Sequence, residues 1–168
     1  MDTKTLTKGI SDDDWAGLAK LANTTPQQIR SRYEAALAGH PGNLRVKNVT
    51  RGNPVKSGDC IRRDFDISLF DLIGLNGYVE FCGTSSTDWN AAVHVCLNVA
   101  GAPIWCTDFT LTPSNAQICY SPQFTVVTAT LCFAIQGSNL CFNVSGQVCH
   151  WAFGWKCEDF NETLFCFG

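Results

Sequence analysis

Residues 91–110, AAVHVCLNVAGAPIWCTDFT, contain the clearest structural signal in the chain. Valine and leucine alternate with histidine, cysteine and asparagine from Val93 to Val99, and this period of two residues is typical of a β-strand with one buried face. A glycine-centred turn follows, and then a second predicted strand. Cys96 and Cys106 are equidistant from Gly101, so they can face each other across a hairpin. The stretch predicts an antiparallel β-hairpin that carries one cysteine on each strand.

The cysteines extend this pattern over the rest of the chain. All ten lie between Cys60 and Cys166, and after one longer gap they recur every 8 to 14 residues, about one for each short strand and turn. The number is even, and no CxxC pair occurs. Both facts favour a disulfide framework over a metal site. The predicted half-cystines are Cys60, Cys82, Cys96, Cys106, Cys119, Cys132, Cys141, Cys149, Cys157 and Cys166.

The remaining β-pattern predicts seven or eight strands with hairpin-length connections. Tyr78 to Cys82 alternates, Phe124 to Ile135 is the longest predicted strand, and Val148 to Trp155 is another. Turns are predicted at Gly74 to Gly77 and at Ser145-Gly146. We therefore expect a mainly β fold, an antiparallel β-sandwich or jelly-roll-like domain with disulfides. Because successive side chains of a strand point to opposite faces of the sheet, several cysteines should lie on the face opposite to the aliphatic residues.

The first 59 residues have a different composition. They carry nine Lys and Arg against six acids, whereas residues 60–168 carry three against nine, and the net charge of the chain is −3. Ser11 and Thr25 are good N-caps, and each precedes an apolar helical stripe. The sequence predicts a helical hairpin arm over 1–40, a basic Gly/Pro/Asn linker over 41–59 and a Cys-rich antiparallel β domain over 60–168.

The helical hairpin has one apolar side, which must be buried because so short a helix pair is not stable alone. We expect this arm to dock on a neighbouring subunit or partner. A propeptide that is removed on maturation, and packing onto the sheet of the same domain, are the two competing interpretations. The predicted docking residues are Trp15, Leu18, Ile29, Tyr33 and Leu37.

Candidate chemistry is sparse. Cys149-His150 lies near Cys157, and His94 lies two residues from Cys96, but the close ligand pairs of a zinc site are absent. No G-x-S-x-G motif, no glycine-rich phosphate loop and no recognisable Cys–His signature occurs. The sequence therefore predicts no catalytic residues, no metal site and no cofactor.

Tryptophan is the remaining functional signal. The binding or interface candidates are Trp89, Trp105, Trp151 and Trp155, and Trp151, Phe153 and Trp155 share parity on one predicted strand. Such residues form either a core stripe or a partly exposed surface for sugar rings or another subunit.

Two functions are expected from these features. The first is a non-catalytic extracellular structural or self-assembling protein, such as a coat or filament subunit, that forms homo-oligomers. The alternative is a secreted β-sandwich binding module that recognises a glycan or a partner surface through exposed aromatics. An acidic β domain argues against a nucleic-acid partner.

The compartment is inferred from the cysteines. Disulfides persist in oxidising compartments, so we expect a secreted, extracellular protein. The polar start from Met1 to Gly9 shows no secretory signal, and no apolar run is long enough to span a membrane.

Overall fold

A computed structural model of the chain describes residues 7–39, 47–69, 72–124 and 126–168. These residues form two helices and ten strands. The helices are α1 (Asp12–Leu21) and α2 (Pro26–Gly39). The strands are β1 (Lys47–Arg51), β2 (Val55–Ser57), β3 (Cys60–Leu69), β4 (Ile73–Ser85), β5 (Asp88–Val99), β6 (Ala102–Leu111), β7 (Gln117–Tyr120), β8 (Val127–Gln136), β9 (Cys141–Trp151) and β10 (Trp155–Cys166).

The helices begin where the capping signals predict. The Ser11 hydroxyl accepts a hydrogen bond from the Asp14 amide, and the Asp14 carboxylate accepts one from the Ser11 amide. Thr25 and Gln28 exchange the same pair of bonds at the start of α2. These capping boxes satisfy amides that have no partner within the helix.

The strands form two antiparallel sheets. Sheet I has the order β1-β3-β4-β5-β6, with β2 also paired to β3, and sheet II has the order β10-β9-β8-β7. From β3 to β6 and from β7 to β10, strands that are neighbours in the sequence are neighbours in the sheet, so both sheets are meanders. The predicted mainly β, antiparallel, disulfide-containing fold with two N-terminal helices is confirmed.

The core lies between the two sheets. Phe65 of β3 contacts Phe142 of β9 with ring centroids 5.6 Å apart, and Phe109 of β6 contacts Phe133 of β8 at 5.1 Å. At one edge of the sandwich, the Arg51 guanidinium donates to the main-chain carbonyls of Thr163 and Leu164. That contact ties sheet I to the edge of sheet II without a shared strand.

Two predicted turns are strand interiors instead. Gly74 to Gly77 lies within β4, and Ser145-Gly146 lies within β9. At Gly77 and Gly146 an added Cβ would collide with a carbonyl oxygen of the neighbouring strand. These glycines permit a close approach between strands, which in the sequence resembles a turn signal.

Part of the predicted linker is also structured. Residues 47–51 and 55–57 form β1 and β2, which pair along β3. Residues 40–46 lie outside the described residues. Strands β3 and β7 were not predicted individually, because charged side chains interrupt the apolar alternation of β3 and because β7 has only four residues.

The helical hairpin packs on its own sandwich. Its five predicted docking residues are each at most 2% exposed and belong to the same apolar cluster as both sheets. The Tyr33 hydroxyl donates to the Trp151 carbonyl at 2.7 Å. This arrangement is the competing interpretation in which the helices pack on their own domain. Docking onto another subunit stays a prediction, and it would require the hairpin to leave this position.

Candidate functional site

All ten cysteines form disulfides, and each bridge joins two residues that are directly opposite each other on adjacent strands. The bridges are Cys60–Cys82, Cys96–Cys106, Cys119–Cys132, Cys141–Cys166 and Cys149–Cys157. The predicted disulfide-rich framework is confirmed, and so is the pairing of Cys96 with Cys106. The other four pairings could not be predicted, because they depend on strand register.

The sulfurs lie on the outer faces of the sheets. On β5, the residues from Trp89 to Val99 alternate, with the aliphatic side chains buried and Cys96 on the outer, partly exposed face. Every bridge therefore joins the two strands of one hairpin, and none crosses from sheet I to sheet II. The two sheets are held together by the apolar core and the polar contacts at their edges.

Two of the four tryptophan candidates belong to the core. Trp89 is 6% exposed and donates its indole N–H to the Ser86 carbonyl. Trp105 is half-buried and packs edge-on against Tyr120, with ring centroids 5.6 Å apart. Both side chains are more buried than that of Trp155, and neither is among the exposed large hydrophobic residues of the described chain.

The other two tryptophans flank a hairpin turn. Strand β9 ends at Trp151 and β10 begins at Trp155, so the single strand predicted from Val148 to Trp155 is two strands. Phe153 is 57% exposed and Trp155 is 46% exposed. The rings of Trp151 and Trp155 meet edge to face at 5.7 Å. We call Trp151, Phe153 and Trp155 the aromatic tip.

Two hydrogen bonds hold Trp151 of the aromatic tip in place. The Trp151 indole N–H donates to the Lys8 carbonyl at 2.9 Å, and its own carbonyl accepts the Tyr33 hydroxyl. Phe153 has a φ of 56°, a left-handed conformation that costs a bulky residue about 1–2 kcal/mol. The fold therefore holds an exposed phenylalanine in a strained position beside a fixed tryptophan pair.

Two buried titratable groups near the aromatic tip, Tyr33 and His150, are uncharged near neutral pH. Burial raises the pKa of Tyr33, so its phenol stays protonated and continues to donate to Trp151. Burial also lowers the pKa of His150 to about 4, with a smaller contribution from the charge of Lys156, while a backbone hydrogen bond at Lys156 opposes the shift. His150 is therefore neutral at pH 7, and its ring is part of the sandwich interior.

A second arrangement lies on the outer face of sheet I. Asp64, Tyr78, His94 and Asp108 are directly opposite one another on β3, β4, β5 and β6. The His94 ring stacks on Tyr78 at 5.5 Å, and its Nδ1 lies 2.8 Å from the Asp108 carboxylate. The guanidinium of Arg62 lies over the Tyr78 ring, 3.8 Å from the ring centroid. We call these five residues the polar row.

The polar row adjoins a disulfide. His94 Nε2 lies 3.6 Å from Cys96 Sγ, and the two sulfurs of the Cys96–Cys106 bridge are close enough to His94 to resemble a metal-ligand cluster. A disulfide sulfur is not the thiolate that zinc requires, so the cluster cannot bind the ion in this state. From the sequence alone, His94 is interpreted as an ordinary histidine. Its partners Tyr78 and Asp108 are distant along the chain and meet it only through strand pairing.

Comparisons with known proteins do not add a family to these observations. No protein-family model, curated protein or solved structure matches the chain. Neither described helix combines the length and apolar character needed to cross a membrane. Functional inference therefore rests on the geometry of the aromatic tip and the polar row.

Proposed function

We propose that this protein is a non-catalytic extracellular binding module that recognises a carbohydrate through the aromatic tip. The observation that carries the proposal is the exposure of Phe153 and Trp155 on one hairpin, beside a Trp151 side chain that is fixed by hydrogen bonds. Aromatic rings that are held in place lose little conformational entropy when they bind a ligand.

The compartment part of the proposal rests on the disulfides. Five bridges, in a chain whose described cysteines are all paired, are compatible with an oxidising environment. Cytosolic thiols are kept reduced, and this many disulfides in one chain is typical of secreted proteins. Secretion would supply the conditions in which these bridges persist.

The size of the exposed apolar surface favours a sugar over a large protein interface. Among the described residues, the large hydrophobic side chains that are exposed are Leu21, Val55, Phe153 and Trp155, and only the last two share a hairpin. A stable protein interface buries about 800 Å² on each partner. Two neighbouring rings cover much less than this, whereas the apolar face of one or two sugar units matches an aromatic ring in size.

The strain at Phe153 supports a functional role for the tip. A left-handed phenylalanine with half of its surface in water adds little to core packing and weakens the turn. Backbone strain of this kind persists where the side chain serves another purpose. Glycine or asparagine would be the stable choice at this position.

The test is a glycan array followed by titration of tryptophan fluorescence with the bound sugars. We expect Trp155→Ala and Phe153→Ala each to weaken binding about tenfold or more, as exposed aromatic anchors do. Val55→Ala is the matched control, because Val55 is 63% exposed on a different strand. Absence of sugar binding by the wild type, or equal weakening by Val55→Ala, would contradict the proposal.

A second variant separates binding from folding. Phe153→Gly removes the ring and relieves the left-handed strain, so the variant should melt at the same or a higher temperature while losing sugar affinity. A variant that loses affinity only together with thermal stability would indicate a structural role for Phe153.

Self-assembly as a coat or filament subunit is the second candidate, and the free edge of sheet I favours it. Among the described strands, β6 pairs only with β5, and helix α1 contacts part of β6, so a second copy would add its strand along the rest of the unpaired edge. Electron microscopy and analytical ultracentrifugation test this candidate. Assemblies that dissociate in Thr110→Lys, a charge placed on this edge strand, would support it, and a wild type that stays monomeric at high concentration would exclude it.

A further inference from the structure

The Cys96–Cys106 bridge lies beside a histidine that is oriented by a carboxylate. His94 Nδ1 is 2.8 Å from the Asp108 carboxylate, and His94 Nε2 is 3.6 Å from Cys96 Sγ. The ring is held from one side by stacking on Tyr78. Cys106 is exposed and Cys96, which contacts His94, is half-buried. Cys106 is therefore the more accessible residue of the bridge.

The other bridges have different neighbours. A Glu80 carboxylate oxygen lies within 4.8 Å of both sulfurs of Cys60–Cys82, and a negative charge there opposes formation of a thiolate. At Cys119 the described neighbour is the neutral amide of Gln117, 3.6 Å from the sulfur. The two bridges of sheet I therefore have different neighbours, a carboxylate at Cys60–Cys82 and an imidazole at Cys96–Cys106.

We propose that Cys106 is a thiol-exchange site, at which a low-molecular-mass thiol opens the Cys96–Cys106 bridge with His94 as the proton donor. The thiolate of the small molecule attacks Cys106 Sγ and forms a new S–S bond. The Cys96–Cys106 bond breaks, and its electron pair leaves on Cys96 Sγ. Protonated His94 transfers the Nε2 proton to that sulfur.

The products of this exchange are a mixed disulfide on Cys106, a thiol at Cys96 and a neutral His94 that regains a proton from water. A second small thiolate then attacks the outer sulfur of the mixed disulfide and releases the Cys106 thiolate. Over both steps the bridge gains two electrons, and two small thiols become one small disulfide. The small thiol is the only reductant required.

The direction of attack follows from accessibility and charge. Attack at exposed Cys106 places the leaving electron pair on the sulfur that contacts His94, where a proton donor makes departure faster. Asp108 is a positioning residue, because it holds the ring in the orientation that points Nε2 at the bridge. The other groups that face His94 across the sheet are Tyr78 on β4 and, beyond its ring, Arg62 and Asp64 on β3.

The experiment exposes the intact full-length protein to limiting reduced glutathione, quenches it with an alkylating agent and maps the labelled cysteines by mass spectrometry. We expect Cys96 and Cys106 to react first and Cys60 and Cys82 to lag. His94→Gln should slow opening of the first bridge about tenfold, less than the effect of general acids in enclosed active sites, because the His94 side chain is 35% exposed. Circular dichroism and unchanged rates at the other bridges confirm that the variant is folded.

Glu80→Gln is the matched control. Removing its charge should accelerate opening of Cys60–Cys82 and leave Cys96–Cys106 unchanged. The pH dependence distinguishes proton donation from simple packing. When the rate is divided by the thiolate concentration, it should rise with acidity in the wild type, because a proton must reach the leaving sulfur through His94, and stay flat in His94→Gln.

The proposal is overturned if His94→Gln opens at the wild-type rate or if its normalised pH profile matches that of the wild type. It is equally overturned if Cys60–Cys82 opens before Cys96–Cys106 in the wild type. Asp108→Asn keeps an oxygen that can accept a hydrogen bond from His94 Nδ1, so retention of the pH-dependent rate in this variant supports the positioning role.

Discussion

Reduction of the disulfides should unfold the sandwich and the helical hairpin in one transition. From composition alone, the hairpin would be expected to survive reduction, since all ten cysteines lie beyond residue 59. The structure changes this expectation. The apolar side chains of both helices belong to the core of the sandwich, and Tyr33 donates a hydrogen bond to the end of β9. Once that surface is lost, a helix pair of this length has no stable fold.

The magnitude follows from the sizes of the closed loops. The bridges span 8 to 25 residues, and loop-closure entropy assigns about 2.5 kcal/mol to the smallest loop and about 3.5 kcal/mol to the largest. All five together restrict the unfolded chain by an amount on the order of 15 kcal/mol, less some overlap because one loop lies inside another. This is as large as the whole unfolding free energy of an ordinary domain, about 5–15 kcal/mol. The fully reduced chain should therefore be unfolded at room temperature.

The assay follows two signals in the same sample during titration with a strong reductant. The far-ultraviolet circular dichroism band near 222 nm reports the helices, and differential alkylation reports the bridges. Both should change together. A helical signal that persists after all ten cysteines are labelled would refute the inference that the hairpin depends on the sandwich. Retention of the complete fold by the reduced protein would refute the assigned role of the bridges.

Three further predictions concern buried groups and close strand contacts. Tyr33→Phe removes the hydrogen bond to a buried strand end and should cost about 1–2 kcal/mol of unfolding free energy, measured by urea denaturation. The pKa of His150 is lowered from 6.5 to about 4 in the folded protein, so the unfolded state binds more protons between these values. Stability is therefore complete above about pH 6.5 and falls as the pH is lowered to about 4, by about 3 kcal/mol in total; His150→Gln should flatten this window. Gly77→Ala should destabilise the fold by more than about 2 kcal/mol because the new methyl collides with the facing strand, whereas Gly17→Ala on the exposed face of α1 should stabilise it by about 1 kcal/mol.

Each of these predictions has a result that contradicts it. Unchanged stability in Tyr33→Phe would show that water or another donor satisfies the freed carbonyl. A wild-type loss of stability below pH 6.5 that persists in His150→Gln would assign the pH dependence to other groups. Equal melting temperatures for Gly77→Ala and the wild type would mean that β4 and β5 can separate without cost.

Local features of the fold were readable from the sequence. Helix starts at Ser11 and Thr25 follow from a cap and a partner three residues later, and the strand from Val93 to Val99 follows from alternation of side chains. The pairing of Cys96 with Cys106 belongs to this group, because a short symmetrical turn fixes the register. In each case the interacting residues are close in sequence, so composition and spacing are sufficient.

Apart from Cys96 and Cys106, the side chains that meet across strands are visible only in the folded chain. The remaining four bridges and the contact of His94 with Asp108 depend on strand register, and only the folded chain shows that Trp155 is exposed whereas Trp89 is buried. Register is set by turn positions and close strand contacts, and Gly77 shows how one glycine can resemble a turn in the sequence yet lie inside a strand. The apolar side of the helical hairpin is visible in the sequence, but the surface that covers it in the structure is not. The sequence shows that a helix face is apolar and must be buried. Which surface covers that face depends on the shape of the whole folded chain.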